Sequence, residues 1–426
     1  MKTAGTPPAA GAAGPVVAVT VDRSRPETVS RLALGITHTQ GGLDRGGDPG
    51  AIARGRTLLA AASRYQNVHI MGWGTDNPSP APGVHDWRTL DRRMALVRSL
   101  PGAVPVITLC AAPDWMKGGA PNRTDWSKIE TAPLPEHYKD FADLAAAVAR
   151  RYPDVKHFQV WNEFKGFWKA SANNWDYEAY TRLYNLCYDA LKRVNSAIRV
   201  GGPYLVVEGT GSGRGDWSTE KPIRARQWEV IDYWLKHKKG AEFLCLDRGL
   251  RTFHDKTRYT PDEMMGFTRY FGDIARQVRA RTPLPIWWSE FYGGIENGGP
   301  QSVAAVHASI LCHMLRGGSA AALLWNGIDD GEVDHGLVTD IRKPGGGKAT
   351  PHYGVFRAYH DHFGPGTPIF KAASSSPDVE ALASARKTLV INKRAAAVTV
   401  RVDGRNVPLA AYAVRLLDAP PGPSGR

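Results

Sequence analysis

The chain has 426 residues, of which 42% are hydrophobic and 22% charged, and it contains 13 tryptophans. This composition excludes global disorder, and the length fits a barrel of roughly 250 residues with appended segments. The formal net charge is +13, but the Arg and Lys residues are scattered and form no stripe with exposed aromatic residues. We therefore predict no nucleic-acid partner.

The N-terminal residues 1–15 are rich in Ala, Gly and Pro and are predicted to be disordered. They lack the apolar core of a signal peptide, and no later segment approaches the roughly 20 apolar residues of a membrane span. The four cysteines have no metal-like or redox-like spacing and are predicted to be buried free thiols, which favours a reducing compartment. We expect a cytoplasmic protein with no membrane partner, or a secreted one if a leader has been removed.

Strands and helices are predicted to alternate along most of the chain. A β-branched run at Val16–Val21 predicts an isolated strand within residues 16–31. From Leu32 onward, short apolar runs alternate with amphipathic segments, as expected for buried parallel strands joined by helices. The predicted strands are Ala33–His38, Val68–Trp73, Val104–Leu109, His157–Trp161, Arg199–Gly202, Phe243–Leu246, Ile286–Ser289 and Ala322–Trp325. The predicted helices are Ala51–Ser63, Trp87–Ser99, Glu136–Tyr152, Tyr177–Asn195, Gln227–Lys238, Pro261–Arg281, Val303–Arg316 and His352–Phe363.

These strand–helix units predict the fold class. Eight units in order favour an α/β fold with a closed (β/α)8 TIM barrel over residues 32–365. No Gly-rich phosphate loop follows the first strand, which argues against a dinucleotide-binding fold. Shorter alternating strands then predict a small accessory antiparallel β-sandwich over residues 366–420, which the strand at 16–31 is expected to join. These strands are Val379–Ala383, Thr388–Ile391, Ala397–Val402 and Ala411–Leu417.

Two predicted barrel strands end in a glutamate directly after a tryptophan-bearing apolar run. The fourth strand leads into Asn162-Glu163 and the seventh into Ser289-Glu290. Reacting groups of such barrels lie at the C-terminal ends of the strands, and a carboxylate among aromatic residues needs a partner or a function. One such glutamate alone is most simply a salt-bridge partner. Two of them, on opposite sides of the barrel mouth, predict cleavage of a glycosidic bond by paired carboxyls.

Here the sequence resembles clan A glycoside hydrolases, and within that clan it looks most like glycoside hydrolase family 39. The resemblance covers most of residues 32–363. It implies a retaining enzyme in which Glu163 is the acid/base, Glu290 is the nucleophile and Asn162 donates to the sugar hydroxyl beside the anomeric carbon. It also implies β-xylosidase-like or arabinofuranosidase-like activity. Long rim loops, at Lys117–Pro135 and Tyr204–Gln227, predict a walled pocket and hence exo action. The matching segments are residues 108–116, 161–164, 167–168, 289–292 and 351–356.

The chain departs from the family pattern near the predicted site. Family members commonly carry Pro after the acid/base, where this chain has Phe164. At the end of strand six they usually carry a His-Tyr type pair, where this chain reads Leu246-Asp247-Arg248. Asp247 would change the charge near the nucleophile, and His254 is a candidate for the missing imidazole. The sugar therefore stays open, with glucosidase, galactosidase, glucuronidase and endo-glycanase activities as alternatives.

Further candidate contacts to a sugar lie near the strand ends. Aromatic rings there suit the C–H faces of a sugar, although packing at the barrel rim is the alternative explanation. His38, at the end of strand one, and Tyr292, after strand seven, are also candidates. The His360-Asp361-His362 cluster lies in a predicted helix, and we expect no metal there and no cofactor. The tryptophan candidates are Trp73, Trp115, Trp168 and Trp325, with Trp325 favoured.

The predicted partner is accordingly a small carbohydrate or glycoside. A carbohydrate-binding barrel without turnover is the main alternative to an enzyme. That alternative predicts the loss of one carboxylate, and both Glu163 and Glu290 are present. The oligomeric state is left open by the sequence.

Overall fold

The computed structural model describes residues 16–207, 222–250, 258–331 and 334–420. Eight parallel strands close into a barrel in sequence order, and the eighth pairs with the first. The predicted (β/α)8 barrel is thereby confirmed, whereas the expectation of disorder for residues 1–15 lies outside the described residues. We number the barrel strands 1 to 8: Ala33–Thr37, Tyr65–His69, Val104–Leu109, His157–Val160, Arg199–Val206, Phe243–Gly249, Ile286–Tyr292 and Ala321–Trp325.

Four of the helices that alternate with these strands begin at a residue whose side chain caps them. The Asp48 side chain accepts a hydrogen bond from the backbone N–H of Ala51 at the first helix, and the Thr260 side chain from that of Glu263 at the sixth. None of the helices in the described residues is long and apolar enough to cross a bilayer. They are α1 Pro49–Ala62, α2 Arg88–Arg98, α3 Tyr138–Arg151, α4 Tyr177–Val194, α5 Ala225–His237, α6 Pro261–Phe267, α7 Arg269–Arg279, α8 Gly299–Arg316 and α9 Pro351–His362.

The helix predicted over residues 261–281 is two helices, α6 and α7, which meet at Thr268. The buried Thr268 hydroxyl is hydrogen-bonded to the Met265 carbonyl and to the Ser309 hydroxyl, each at 2.8 Å. A side chain that bonds back to the preceding turn and to a neighbouring helix competes with the regular backbone ladder. The apolar periodicity continues through the break, so the sequence pattern did not reveal it.

Aromatic rings fill the barrel interior at the N-terminal ends of the strands. Trp287 stacks on Phe243 with ring centroids 4.1 Å apart and packs against Tyr65 at 4.6 Å. His157 lies against the same indole at 5.3 Å. These rings close one end of the barrel, so a substrate must approach from the other end.

A layer of buried polar side chains ties the strands together further along the barrel. The Asn67 amide donates to Thr37 at 3.0 Å and accepts from the Thr108 hydroxyl at 2.9 Å. Gln159 donates to the same hydroxyl at 3.0 Å and accepts from the Cys245 thiol at 3.5 Å. Buried polar groups cost free energy unless they are satisfied. This network therefore fixes how strands 1 to 4 and strand 6 are aligned, and with them the ends that carry the site.

The second β-rich unit is one sheet of seven strands whose two halves pack against each other. Val16–Val29 pairs in parallel with Val398–Val402 and antiparallel with Pro368–Ser374, and all other pairs are antiparallel. Valines from both ends of the sheet share one apolar cluster, which confirms the accessory β-sandwich. The strand order is Arg405–Leu409, Val398–Val402, Val16–Val29, Pro368–Ser374, Val379–Ser384, Lys387–Asn392 and Val414–Asp418.

Helix α8 joins this sheet to the barrel through Glu380. The Glu380 carboxylate accepts a hydrogen bond from Ser309 at 2.6 Å and lies 3.3 Å from the His313 ring. Arg316 donates to the carbonyl of Ala381 at 2.8 Å. A buried carboxylate with several donors holds its two elements in one relative position.

Candidate active site

The turn after barrel strand 4 presents Glu163 at the C-terminal end of the barrel. Trp161, Glu163 and Phe164 all have positive φ, at 70°, 49° and 55°. Such a conformation costs of order 1 kcal/mol or more for each non-glycine residue and concentrates at functional sites. Two contacts compensate for it: the Trp161 indole donates to the Lys165 carbonyl at 2.8 Å, and Phe164 packs on Tyr180 with ring centroids 4.2 Å apart.

Three carboxyl groups converge at this end of the barrel. One oxygen each from Glu163, Asp247 and Glu290 lie within 4.8 Å of one another. Asp247 and Glu290 are Cα partners on the adjacent barrel strands 6 and 7, and their exposed fractions are 1% and 6%. The Glu163 side chain is 20% exposed. The structure therefore brings the two predicted glutamates together and places Asp247 beside them.

Lys165 approaches this carboxyl cluster, which we define as Glu163, Asp247 and Glu290. The Lys165 ammonium lies 2.9 Å from Glu163 Oε2 and also pairs with Glu130. The Asn162 amide donates to the same Glu163 oxygen at 3.3 Å. Burial lowers the pKa of Lys165, but the two glutamates outweigh it and leave that pKa above its usual value. The Glu163 carboxylate thus has a permanent cationic partner within the site.

The protonation of the other two carboxyls follows from their burial. Burial raises the pKa of Glu290 well above its usual range, and the charge of Glu163 adds to it, while Lys165 and Tyr204 oppose the shift. The pKa of Asp247 is also well raised, by burial first and then by the charges of Glu290 and Glu163. Adjacent buried carboxylates repel one another. The pair is therefore more stable with one bound proton than with both carboxyls ionised.

Tyr204 contacts Glu290 from barrel strand 5. Its hydroxyl donates to Glu290 Oε2 at 3.3 Å and lies at the same distance from the Ser289 carbonyl. The residue is fully buried, and burial followed by the charge of Glu290 raises its pKa well above the usual value. A neutral phenol is therefore held as a donor to one oxygen of Glu290.

An aromatic wall lies on the Asn162 side of the cluster. His69 packs on Trp73 with ring centroids 4.5 Å apart and meets the edge of Trp325 at 5.8 Å. Burial lowers the pKa of His69 to about 3, and an interaction with Asn162 opposes this only in part. Among the described residues, neither ring nitrogen of His69 nor Oδ1 of Asn162 has a hydrogen bond of normal geometry. These buried polar atoms and the two indoles can bind the hydroxyls and C–H face of a sugar.

The remaining tryptophan candidates lie apart from this wall. Trp115 donates from its indole nitrogen to the Ser79 carbonyl at 2.9 Å and packs edge-on against His137. Trp168 is 49% exposed and lies on a two-residue ribbon, where its ring meets that of Trp175 edge-on at 5.8 Å. A role for either ring in substrate contact therefore requires a part of the substrate that extends beyond the cluster.

The predicted histidine and tyrosine contacts have different surroundings. The buried His38 ring is hydrogen-bonded to Gln66 at 2.9 Å, and burial followed by the charge of Arg93 lowers its pKa to about 4. The Tyr292 ring lies parallel to that of His335, with centroids 6.0 Å apart. His254, the candidate for the missing imidazole, lies outside the described residues, so that prediction is not tested.

Three residues of the site were not predicted from the sequence: His69, Lys165 and Tyr204. His69 was hidden inside the strand predicted at Val68–Trp73, which in fact spans Tyr65–His69. Tyr204 followed a strand predicted to end at Gly202, whereas barrel strand 5 continues to Val206. The only available signal for Lys165 was its position two residues after Glu163, within the same turn.

The carboxyl cluster is also the one group of His, Cys, Asp and Glu side chains in the described ranges with metal-like spacing. Oxygen donors alone suit Ca²⁺ or Mg²⁺ rather than softer metals. Since Lys165 already pairs with one of the three carboxyls, we retain the prediction that no metal is bound. In the separately predicted cluster at residues 360–362, Asp361 pairs with Arg357 at 2.6 Å.

Comparison with known proteins finds one curated β-xylosidase and solved glycosidases of several specificities. No family model matches the chain. A β-xylosidase from Caldicellulosiruptor saccharolyticus is 25% identical over 204 residues, which is 45% of this chain and 37% of that one. The chain thus spans little more than a third of that relative's length.

Solved structures share the fold across most of the chain. A monomeric β-xylosidase from Caulobacter crescentus CB15 matches with a TM-score of 0.57 and 18% identity, covering 89% of this chain and 77% of that chain. The GH39 enzyme from Xanthomonas axonopodis pv. citri matches with a TM-score of 0.57 and 17% identity, covering 89% and 75%. These relatives confirm that the chain resembles clan A glycoside hydrolases of the family 39 type.

Proposed function

We propose that the protein is a retaining glycoside hydrolase with Glu163 as acid/base and Glu290 as nucleophile. The observation that carries the proposal is the approach of one oxygen from each glutamate to within 4.8 Å. Retaining enzymes hold their two carboxyl groups roughly 5–5.5 Å apart, whereas inverting enzymes need roughly 6.5–9.5 Å to admit a water. The short separation favours direct attack by one carboxylate on the anomeric carbon.

The surroundings of the two glutamates fit these roles. Glu290 is nearly buried and receives the Tyr204 hydroxyl on Oε2, so it can form the bond to the anomeric carbon away from water. The Glu163 side chain is 20% exposed, where a leaving group can depart and a water can enter. In the second step that water attacks the same carbon, Glu163 takes its proton, and Glu290 leaves as a carboxylate.

For the substrate, we propose a neutral pentoside, cleaved by exo-acting β-xylosidase-like or arabinofuranosidase-like activity. Support comes from the relatives named as β-xylosidases. Trp73 and Trp325 offer apolar faces, and Asn162 and His69 offer unsatisfied polar atoms beside the cluster. In the part of the chain that the structure describes, Lys165 is the lysine that pairs with one of these three carboxyls. Such a cluster would repel a sugar carboxylate, which weighs against the glucuronidase alternative.

The proposal is tested with a panel of 2,4-dinitrophenyl and 4-nitrophenyl β-xylosides, α-arabinofuranosides, β-glucosides and β-galactosides. The wild type is compared with Glu163→Ala, Glu290→Ala and the exposed helix control Glu178→Ala. On a β-glycoside, azide should accelerate Glu163→Ala and yield the β-glycosyl azide, whereas Glu290→Ala with azide should yield the α-azide. The control should behave as wild type. A folded wild type that turns over no glycoside but still binds sugars would replace the enzyme with a carbohydrate-binding barrel.

A further inference from the structure

The neighbours of Glu163 conflict with its proposed role as the acid/base. Glu163 Oε2 lies 2.9 Å from the Lys165 ammonium and 3.3 Å from the Asn162 amide nitrogen. Two donors already occupy this oxygen, so it is placed to accept hydrogen bonds and has no room for a proton of its own. The first step of the reaction, however, needs a proton at Glu163 for the glycosidic oxygen. A proton source next to Glu163 would resolve this conflict.

Asp247 is placed to be that source. It is 1% exposed, its carboxyl group is in hydrogen-bonding contact with that of Glu163, and it sits beside Glu290 across barrel strands 6 and 7. No N–H or O–H donor of the described residues reaches Asp247 Oδ2. A carboxyl that faces another carboxyl and has no donor on one oxygen is best satisfied as a neutral acid that donates.

The charged groups around Asp247 also favour its protonated form. Glu163 and Glu290 face it with negative charge. Lys165, which among the described residues opposes that charge most, is bonded to Glu163 and Glu130. Burial and the two glutamate charges raise the pKa of Asp247 well above its usual range. The neighbouring Arg248 guanidinium donates to the Val207 carbonyl at 2.7 Å. Lys165 and Asn162 donate to Glu163 and Tyr204 donates to Glu290, whereas Asp247 Oδ2 has no donor among the described residues. Asp247 is therefore the carboxyl best placed to hold the proton of the cluster.

We propose that Asp247 is a proton relay for Glu163: it holds a proton in the resting enzyme and passes it to Glu163 as the glycosidic bond breaks. The inference rests on the proposed function. In the first step the Asp247 O–H bond breaks, Glu163 delivers a proton to the glycosidic oxygen, and the electron pair of the breaking C–O bond stays with that oxygen. Glu290 forms the ester bond to the anomeric carbon at the same time.

The charges balance through both steps. Before the first step Glu290 and Glu163 are anions, and Lys165 offsets one of them. After it Glu163 and Asp247 are anions, Glu290 is a neutral ester, and Lys165 again offsets one. In the second step water gives its hydroxide part to the anomeric carbon and its proton through Glu163 back to Asp247, which restores the resting state. Asp247 acts through Glu163 and is a positioning residue rather than a group that touches the reacting carbon.

The first arm of the test uses Asp247→Asn, which keeps the size and a donor but has no transferable proton. Hydrolysis of a xylobiose or methyl xyloside substrate, whose leaving group needs a proton, should fall about 10²–10³-fold in kcat/KM. Hydrolysis of the 2,4-dinitrophenyl glycoside, whose leaving group needs none, should stay within about tenfold of wild type. Equal losses on both substrates, or none on either, would overturn the relay.

The second arm removes the cation that makes the relay necessary. In Asp247→Asn/Lys165→Met the ammonium no longer occupies Glu163 Oε2, so a proton from solvent can be placed on that oxygen. Activity on the poor leaving group should therefore recover by at least about tenfold over Asp247→Asn. The basic limb of kcat/KM should move to lower pH in Asp247→Asn and back to higher pH in the double variant. A merely structural role of Asp247 predicts no recovery and no movement of the limb. Lys165→Met alone is the matched control.

A third measurement needs no variant and decides the case if Asp247→Asn does not fold. Infrared spectra of the wild type with ¹³C-labelled aspartate should show a protonated aspartate carboxyl at neutral pH, and its absence would refute the relay. Loss of turnover on EDTA treatment, restored by Ca²⁺ or Mg²⁺, would instead assign the cluster to a metal. If the folded wild type hydrolyses no dinitrophenyl glycoside, the proposed function is wrong. If the wild type is active but the variants do not show the expected changes, only the relay is wrong.

Discussion

Among single residues, Tyr204 has the most direct influence on Glu290. Its hydroxyl lowers the pKa of a carboxyl that burial and Glu163 raise. In Tyr204→Phe that pKa should rise further, so Glu290 is ionised only at higher pH. The acid limb of kcat/KM should therefore move to higher pH, and kcat/KM at neutral pH should fall about 10- to 100-fold, as for loss of a hydrogen bond to a charged group.

The control for Tyr204→Phe is Tyr184→Phe. Tyr184 is equally buried, but its hydroxyl donates to the Gly240 carbonyl at 2.8 Å. This variant should lose some stability and leave the pH profile in place. Matching pH profiles in the two variants would show that Tyr204 acts on packing rather than on Glu290.

His69 is the second residue whose role can be isolated. His69→Phe retains an aromatic ring against Trp73 but removes both ring nitrogens, which lack normal hydrogen bonds among the described residues. If these nitrogens bind a sugar hydroxyl, kcat/KM should fall about tenfold or more on every glycoside that is turned over. His85→Phe is the matched control, because His85 stacks on Trp87 at 4.7 Å on the exposed surface. Equal activity of both variants would exclude His69 from binding.

The sequence predicted the site residues that directly follow an apolar run and missed His69, Tyr204 and Lys165, which do not. Glu163 and Glu290 stand directly after apolar, tryptophan-bearing runs, so their placement follows from the barrel alone. His69 belongs to a strand whose first half is polar, because Gln66 and Asn67 are satisfied by buried hydrogen bonds. Hydrophobic patterning cannot detect a polar residue that is satisfied inside a barrel. The pairing of Lys165 with Glu163 depends on a turn whose residues have positive φ. Neither the helical nor the strand periodicity of apolar residues predicts such a turn.

At the level of elements, a buried ion pair holds α2 against the loop after barrel strand 1. Arg93 lies 2.8 Å from Asp44 with side-chain exposures of 1% and 2%, and it also donates to the Thr39 carbonyl at 2.9 Å. Arg93→Met would leave the Asp44 charge buried with the partly exposed Arg92, at 3.3 Å, as its remaining partner. The free energy of unfolding should fall by about 3 kcal/mol, the lower end of the range for a broken buried pair, as measured by urea denaturation.

The comparison for Arg93 is an exposed ion pair at the start of the same helix. Arg88 pairs with Asp86 at 2.6 Å, but its side chain is 87% exposed. Arg88→Met should not change the unfolding midpoint measurably, because water screens such pairs. Equal destabilisation by both variants would show that burial is not what makes the Arg93 pair important.

Element types were predicted more completely than element bounds. Barrel strand 2 was predicted three residues late because Val68–Trp73 is a continuous apolar run, whereas the chain turns through Gly72 and Trp73 with φ of 82° and 48°. In the accessory sheet, Pro368–Ser374 and Arg405–Leu409 were missed. The first follows Gly and Pro, and the second is mostly exposed and stabilised by pairing with Val398–Val402. Neither strand has an apolar pattern of its own to reveal it.

For the whole molecule, the attachment of the accessory sheet should depend on pH through Glu380. Burial alone would raise the pKa of Glu380, but His313, Lys393, Ser309 and Arg316 together bring it below 4.5. A carboxyl with a lowered folded-state pKa contributes stability above the unfolded value and loses that contribution as pH falls through the folded value. Glu380→Gln should lower the free energy of unfolding at pH 7 by about 1–3 kcal/mol.

The free energy of unfolding of Glu380→Gln should also depend less on pH in the acid range. Between neutral pH and pH below 4.5, the stability of Glu380→Gln should fall less than that of the wild type, in urea denaturation followed by tryptophan fluorescence. Glu178→Gln, on the exposed face of α4, should keep the wild-type pH dependence. Parallel pH curves for wild type and Glu380→Gln would exclude this carboxylate as the pH-sensitive contact between sheet and barrel.

The identity of the nucleophile is tested most directly by trapping the covalent intermediate. A 2-deoxy-2-fluoro glycoside with a dinitrophenyl leaving group, of the sugar that the wild type turns over, should inactivate the enzyme and add one sugar per chain. Peptide mass spectrometry should then place that sugar on Glu290, with no labelling of Glu290→Ala. A label on Asp247 or Glu163, or continued inverting turnover with no label at all, would contradict the double-displacement account.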